Sequence, residues 1–138
     1  MRAIDPVDQF LAGIESAVLS EDIFSEDVVL DATVPNWRFC VRGAAAVRAE
    51  LEKWYGNLGR FQEVRRRGFD DGELVEFTLG WEESGVPHAC HQAHVIHIRD
   101  GLIAVDTVFC GGRWPEPLLA QMREAQHAMD RGAGLKAG

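Results

Sequence analysis

The fold is indicated most clearly by the segment His88-Ala-Cys-His-Gln-Ala-His-Val-Ile-His-Ile-Arg-Asp-Gly-Leu-Ile-Ala-Val-Asp-Thr-Val-Phe-Cys110. It contains four of the five histidines and two of the three cysteines of the chain. Runs rich in β-branched and apolar residues flank the turn signal Arg99-Asp100-Gly101. The segment therefore predicts two neighbouring antiparallel strands, Pro87–Ile98 and Leu102–Cys110.

The histidines of this segment recur at every third position, a spacing that invites a metal-site interpretation. Side chains alternate between the two faces of a strand, so His88 and His94 share one face while His91 and His97 share the other. At ~3.3 Å per residue, histidines on the same face lie about 20 Å apart. One metal ion cannot collect ligands over that distance, and we predict neither a metal nor another cofactor.

His94 and Asp106 form the candidate site. His94 shares its face with Ile96 and Ile98, which makes that face the better candidate for the interior. A three-residue loop, Arg99–Gly101, would place His94 directly opposite Asp106, with Cβ atoms about 5 Å apart. A carboxylate beside an imidazole fixes the tautomer and raises the basicity of the ring, as acid–base catalysis requires.

Two alternatives to this interpretation stay open. A two-residue loop, Asp100-Gly101, would shift the register by one residue and leave His94 and Asp106 on opposite faces. A buried histidine–aspartate pair can also be a structural polar contact without a catalytic role.

Composition limits the class of protein. A chain of 138 residues, 46% hydrophobic and 26% charged, fits one globular domain. The net charge of −8 argues against a nucleic-acid or anionic-membrane partner, because both need a basic surface. No apolar run has the length of a membrane span, and the N-terminus lacks a signal-peptide hydrophobic region. Three cysteines without Cys-x-x-Cys spacing favour reduced thiols and a cytoplasmic location.

The predicted architecture is α+β: a cone-shaped barrel of a curved antiparallel sheet packed against N-terminal helices, with an extra C-terminal helix. We expect a single domain over residues 1–130 and a flexible tail over residues 131–138. The elements expected before the two histidine-rich strands are a helix opening at Asp5-Pro6, strands Val28–Val34 and Trp37–Arg42, a helix Ala44–Gly56, and strands Phe61–Phe69 and Glu73–Glu82.

Three motifs carry a family resemblance: Asp31-Ala-Thr-Val-Pro-Asn36, Gly43-Ala-Ala-Ala-Val47, which opens a helix, and the turn-strand Arg99-Asp-Gly-Leu-Ile103. In this order the chain resembles the nuclear transport factor 2-like superfamily, which includes ketosteroid isomerases, SnoaL-type polyketide cyclases, scytalone dehydratases and limonene-epoxide hydrolases. The resemblance implies a deep, mostly apolar pocket and frequently a homodimer formed through the outer sheet face. It does not imply one reaction, because function depends on the pocket residues.

The chemistry of the ketosteroid isomerases does not carry over to this sequence. Their catalytic carboxylate falls where this chain has Asn36, which cannot act as a base near neutral pH. Their tyrosine donor lies in the first helix, whereas the single tyrosine here is Tyr55. Their second oxyanion donor falls at His94. The resemblance therefore implies a similar pocket with different reacting groups.

We predict a cofactor-free acid–base enzyme, of the isomerase, cyclase or dehydratase type, acting on a hydrophobic small molecule in an enclosed pocket. His94 is the expected acid or base, Asp106 orients it, and Asn36 places a substrate oxygen. The alternatives are a non-catalytic binding protein and a dimeric assembly module that uses a sheet face with Ala93, Val95 and Phe109. The predicted pocket wall consists of Trp37, Phe77, Leu79, Trp81 and Ile96.

Overall fold

The computed structural model describes residues 5–137 and has the predicted α+β architecture. Seven strands form one sheet, and three α-helices and a short 3-10 helix accompany it. The elements in chain order are α1 (Pro6–Ser16), the 3-10 helix (Glu21–Ile23), β1 (Phe24–Val34), β2 (Trp37–Arg42), α2 (Ala44–Trp54), β3 (Gly59–Phe69), β4 (Gly72–Glu83), β5 (Val86–Arg99), β6 (Leu102–Cys110), β7 (Trp114–Pro115) and α3 (Glu116–Ala137).

The curved sheet is open, with strand order β2-β1-β6-β5-β4-β3 and β7 added beside β5. Strands β3 to β6 form the expected antiparallel meander. One pairing within this sheet is parallel, that of β1 with β6, and the sequence did not predict it. The reason is topological. After the β1–β2 hairpin the chain passes through α2, and the meander then returns β6 to the free side of β1 in the same direction.

Helices α1 and α2 cover the concave face of the sheet. Asp5 caps α1 by accepting a hydrogen bond from the Val7 amide at 2.8 Å, and Pro6 occupies the first turn, where no N–H is needed. Phe10 and Ile14 of α1 and Leu51 of α2 are almost fully buried against the strands. These side chains fill most of the space that the sheet encloses.

The β5–β6 connection differs from the predicted three-residue loop. Asp100 (φ 54°) and Gly101 (φ 77°) form a two-residue turn, so Arg99 pairs with Leu102. This register alone would send Asp106 to the outer face. A β-bulge at Ala104 adds one unpaired residue to β6 and reverses the alternation.

Because of the bulge, Asp106 lies opposite Ile96 and diagonally from His94, whose own partner is Val108. The predicted direct cross-strand pairing of His94 with Asp106 is therefore wrong. The structure nevertheless places both side chains on the inner face, because the shorter loop and the bulge each shift the register by one residue.

Helix α3 lies mainly on the outside of the molecule. Its contacts concentrate on β5 and β7, near its first turns, and Leu118, Met122 and Met129 are exposed. The helix continues to Ala137, so most of the segment predicted as a flexible tail (131–138) is helical, while Gly138 lies outside the described residues. Across residues 5–137, no helix combines the length and apolarity needed to cross a membrane.

Candidate active site

His94 and Asp106 form a fully buried pair between β5 and β6, and each residue is 0% exposed. His94 Nδ1 lies 2.8 Å from Oδ1 and 3.0 Å from Oδ2 of Asp106. A carboxylate only accepts hydrogen bonds, so Nδ1 carries a hydrogen and is the donor of the hydrogen bond to Asp106. Phe77 stacks on the imidazole at a centroid distance of 5.3 Å, and Phe10 meets it edge-on at 5.4 Å. These two contacts hold the imidazole in place.

Gln92 and Tyr55 complete the network on the other side of the imidazole. His94 Nε2 lies 3.0 Å from Gln92 Oε1 and 3.3 Å from the Tyr55 hydroxyl oxygen. The Tyr55 hydroxyl donates a short hydrogen bond to Gln92 Oε1. Gln92 precedes His94 by two residues on β5 and so shares its face, whereas Tyr55 is brought in by the end of α2. Each is only 3% exposed.

A cavity of about 320 Å³ reaches this network at Gln92. Gln92 is the one member of the four-residue network that lines the cavity, so it separates the cavity from His94. Its Nε2 donates to Cys110 Sγ at 3.3 Å, across the cavity floor. The lining residues are Val34, Pro35, Lys53, Trp54, Cys90, Gln92, Cys110, Gly112 and Arg113.

The orientation of the Gln92 amide is coupled to the proton on His94. With Oε1 facing the ring, the amide oxygen accepts a hydrogen bond from Nε2. A half-turn of the amide presents its NH₂ group instead, and Nε2 then accepts as the lone pair of a neutral imidazole. The Gln92 amide can therefore pair with Nε2 either as an acceptor or as a donor, with only a local rotation.

Two weakly acidic side chains near this network, Tyr55 and Cys90, remain protonated near neutral pH. Burial, and after it the negative charge of Asp106, raises the pKa of Tyr55 well above its usual value of 10.0. Tyr55 is thus a hydrogen-bond donor rather than a phenolate. Burial also raises the pKa of the Cys90 thiol to about 12, so this residue is an apolar part of the cavity wall and not a nucleophile.

Asn36, predicted to place a substrate oxygen, and Trp37, predicted to line the pocket, lie away from this network and from the cavity. Asn36 is exposed in the β1–β2 turn with φ 64°, a left-handed conformation that asparagine adopts more readily than most residues. Trp37 follows it and is 68% exposed. Neither lines the cavity, although the preceding Val34 and Pro35 do. The turn geometry accounts for Asn36 without a role in substrate placement.

The other predicted wall residues belong mainly to the closed core. Phe77, Leu79 and Ile96 are at most 2% exposed and do not line the cavity, because α1 and α2 occupy the space in front of them. Phe77 instead holds the His94 ring. Trp81 is 8% exposed and lies beneath the Arg113 guanidinium, 4.6 Å from its ring centroid.

The sequence interpretation missed Gln92, Tyr55 and the cavity residues near Gly112 and Arg113. Gln92 could have been identified from the sequence, since it lies two residues before His94 on the same predicted strand and the two side chains therefore share a face. Tyr55 could not be placed without knowing how α2 docks on the sheet. Over the described range 5–137, no group of three or more His, Cys, Asp or Glu side chains is arranged to hold a metal ion.

Comparisons with known proteins give a fold match. No protein-family model and no curated protein matches the sequence. Similar solved structures include an NTF2-like protein from Anabaena variabilis (TM-score 0.68, 13% identity, covering 78% of this chain and 84% of that one). An LEH-like epoxide hydrolase from M. tuberculosis is also similar (TM-score 0.59, 16% identity, coverage 76% and 79%). A third is a phenazine biosynthesis-related protein from Pseudomonas aeruginosa (TM-score 0.57, 15% identity, coverage 78% and 79%). The chain has the nuclear transport factor 2-like fold.

Proposed function

We propose that this protein is a cofactor-free acid–base enzyme that moves a proton on an apolar small molecule, in an isomerisation, cyclisation or dehydration next to a carbonyl group. The observation that carries the proposal is the position of Gln92. It lines the cavity and is hydrogen-bonded to Nε2 of a fully buried histidine whose other nitrogen is held by Asp106. A carboxylate–imidazole pair of this kind is suited to general acid–base catalysis.

In the proposed mechanism, His94 is the proton-transfer group and Asp106 stabilises the imidazolium that forms when Nε2 takes a proton. Rotation of the Gln92 side chain away from Nε2 gives a ligand in the cavity access to the ring. The Tyr55 hydroxyl, released from Gln92 by that rotation, donates to the oxygen on which negative charge develops. Its raised pKa keeps the phenol protonated, so that the hydroxyl acts as a hydrogen-bond donor.

The fold comparisons support small-molecule chemistry in a scaffold of this shape. The M. tuberculosis structure is described as an LEH-like epoxide hydrolase, and the P. aeruginosa protein as related to phenazine biosynthesis. Those activities belong to those proteins. What this chain adds is its own network, in which Gln92 and Tyr55 contact a buried His94–Asp106 pair.

The proposal is tested by identifying co-purified small molecules by native mass spectrometry and measuring their turnover by three proteins. We expect the His94→Ala and Asp106→Ala variants to lose about 100-fold or more of the wild-type rate, the usual size of a general acid–base contribution. Turnover at the wild-type rate by both variants would refute the proposal. Circular dichroism establishes that each variant is folded.

A non-catalytic binding protein is the second candidate, and the complete burial of His94 favours it. In that case the histidine–aspartate pair organises the cavity floor, and Gln92 with Tyr55 provides the ligand contacts. The two candidates differ in one outcome. A binding protein would retain ligand affinity and show no chemical conversion of any bound compound, with or without His94.

We also propose that the protein forms a homodimer through the outer face of the sheet. Phe109 is 51% exposed and Leu74 is 38% exposed on this face, and Ala93 and Val95 lie between them. Phe109 borders an outer-face depression of about 480 Å³. This face suits a twofold interface, because the Phe109 side chain of each copy can enter the depression of the other copy. The three free thiols support a reducing, cytoplasmic location.

A further inference from the structure

The charges of the cavity lining have the opposite sign to the charge of the whole chain. The chain contains 22 acidic and 14 basic residues, for a net charge of −8. The lining nevertheless includes two cationic side chains, Lys53 and Arg113, and no carboxylate. Two cationic side chains at the opening favour an anionic ligand there, although each also pairs with a carboxylate outside the lining, Lys53 with Glu50 and Arg113 with Glu83.

Arg113 is held in place at this opening. Its Nη1 donates to the Trp54 carbonyl oxygen at 3.0 Å, and its Nη2 forms an ion pair with Glu83. The guanidinium also lies 4.6 Å above the Trp81 ring. A guanidinium has five N–H donors in a fixed plane, and these contacts orient that plane before a ligand arrives.

Lys53 is the more mobile of the two cations. It lies in the last turn of α2, its side chain is 73% exposed, and its amine is 3.6 Å from Glu50. The second oxygen of Glu50 accepts a hydrogen bond from the Trp54 indole at 3.1 Å. The Lys53–Glu50 pair is long and solvated, so exchanging it for a ligand anion costs little.

The interior of the cavity is apolar except at Gln92. Val34, Pro35, Trp54 and Cys90 contribute the apolar wall, and Cys90 is a neutral thiol. A ligand that matches this distribution has an anionic group at one end, an apolar body, and a neutral oxygen or nitrogen at the other end.

We propose that the substrate is an apolar organic acid whose carboxylate lies at Lys53 and Arg113 while its carbonyl or hydroxyl oxygen lies at the Gln92 end of the cavity. This inference rests on the proposed function and specifies the substrate class of that site. The cationic opening then fixes the direction in which the ligand enters, and the reacting carbon is presented to the His94 end of the cavity.

The test compares 2-naphthoate with 2-naphthamide, a neutral compound of nearly the same shape, by isothermal titration calorimetry at low ionic strength. We expect the wild-type protein to bind the acid about 10-fold more tightly than the amide, within the range for charge-assisted contacts. Lys53→Gln should reduce the affinity for the acid about two- to five-fold, as expected for an exposed ion pair, and Lys53→Glu should reduce it further. Neither change should affect the amide.

Arg65→Gln is the matched control, because it removes one positive charge from the outer side of β3. It should leave both affinities at the wild-type value, and 0.5 M salt should remove the preference for the acid. Equal binding of acid and amide by the wild-type protein would overturn this inference and leave the proposed function standing. If the wild-type protein prefers the acid but no bound compound is turned over in a His94-dependent way, the proposed function is overturned and the inference about the ligand class stands. Binding of neither compound would count against both.

Discussion

At the scale of single residues, Gln92 is the side chain that lies between the buried His94–Asp106 pair and the cavity. The sequence singled out His94 and Asp106, but a two-residue turn and a bulge at Ala104, neither of them predicted, bring the two side chains together. The two remaining partners depend on packing. Tyr55 reaches the network only through the docking of α2, and no local pattern in the sequence encodes that docking.

The single tyrosine of the chain makes the protonation of the network measurable. We expect the phenolate absorbance of Tyr55 to remain absent at pH 10 and to appear well above it, because burial and the Asp106 charge raise the pKa of this group. In the unfolded chain the tyrosine hydroxyl ionises at about pH 10. Above that pH the folded state, in which Tyr55 is still protonated, therefore binds more protons than the unfolded state. Stability should then fall by about 1.4 kcal/mol per pH unit.

The measurement combines absorbance titration at 295 nm with urea unfolding at pH 9 to 11. Tyr55→Phe should remove the absorbance change and make the stability curve above pH 10 less steep, while the buried Cys90 thiol, whose pKa is raised to about 12, still contributes a slope. An absorbance midpoint at pH 10 in the folded wild-type protein would contradict the buried placement of this phenol.

The cysteines should differ sharply in reactivity. Cys40 is exposed, whereas burial raises the pKa of Cys90 to about 12. At pH 8 we expect iodoacetamide to modify Cys40 quickly and to leave Cys90 unmodified in the folded protein, because the thiolate is the reactive form. Peptide mass spectrometry gives the site of labelling, and labelling in 6 M guanidinium provides the control. Fast modification of Cys90 under native conditions would contradict its placement.

At the scale of elements, the β5–β6 hairpin shows what sequence patterns can and cannot give. The β6 bounds match the prediction, and β5 exceeds its predicted range by one residue at each end. The turn was predicted to be one residue longer than it is, and the bulge at Ala104 was not predicted at all. Both errors concern register, which alternation alone does not fix when a strand contains an extra residue.

The two-residue turn should make Gly101 sensitive to substitution. Gly101 has φ 77°, and a methyl group added there meets no atom within 4 Å, so the cost of Gly101→Ala is purely conformational. We expect a loss of about 1 kcal/mol or more in the free energy of unfolding, measured by urea denaturation. Gly68→Ala is the control, because its surroundings are equally open and its φ is not left-handed. An equal effect at both positions would contradict the turn geometry.

At the scale of the whole molecule, two features remain exposed: the outer face of the sheet, with Phe109 and Leu74, and the long helix α3. The α+β class and the curved sheet followed from the order of helical and alternating patterns. The parallel β1–β6 pairing joins segments far apart in the chain, and local patterns do not specify it. The amount of open space also depends on packing, since Phe10 and Leu51 fill a region that was expected to be a pocket.

The proposed dimer gives a prediction at this scale. We expect sedimentation equilibrium to show a dimer for the wild-type protein and a monomer for Phe109→Glu, because the new carboxylate would be buried in the interface close to Glu76, which also borders the depression. Val18→Glu is the control, since Val18 is 73% exposed and lies after α1, away from the outer sheet face. A wild-type monomer, or a dimer unchanged by Phe109→Glu, would rule out this interface.

The central claim is that His94 exchanges protons with a ligand in the cavity. Its most direct test is deuterium incorporation from D₂O into a panel of apolar keto acids and ketones, followed by mass spectrometry. We expect the wild-type protein to accelerate exchange next to the carbonyl group, and His94→Gln to lose about 100-fold or more of that rate. His91→Gln, on the same strand but facing Glu76 and Thr78 on the outer side, should keep it. Equal exchange by wild-type and His94→Gln proteins, or no exchange of any bound compound, would contradict the claim.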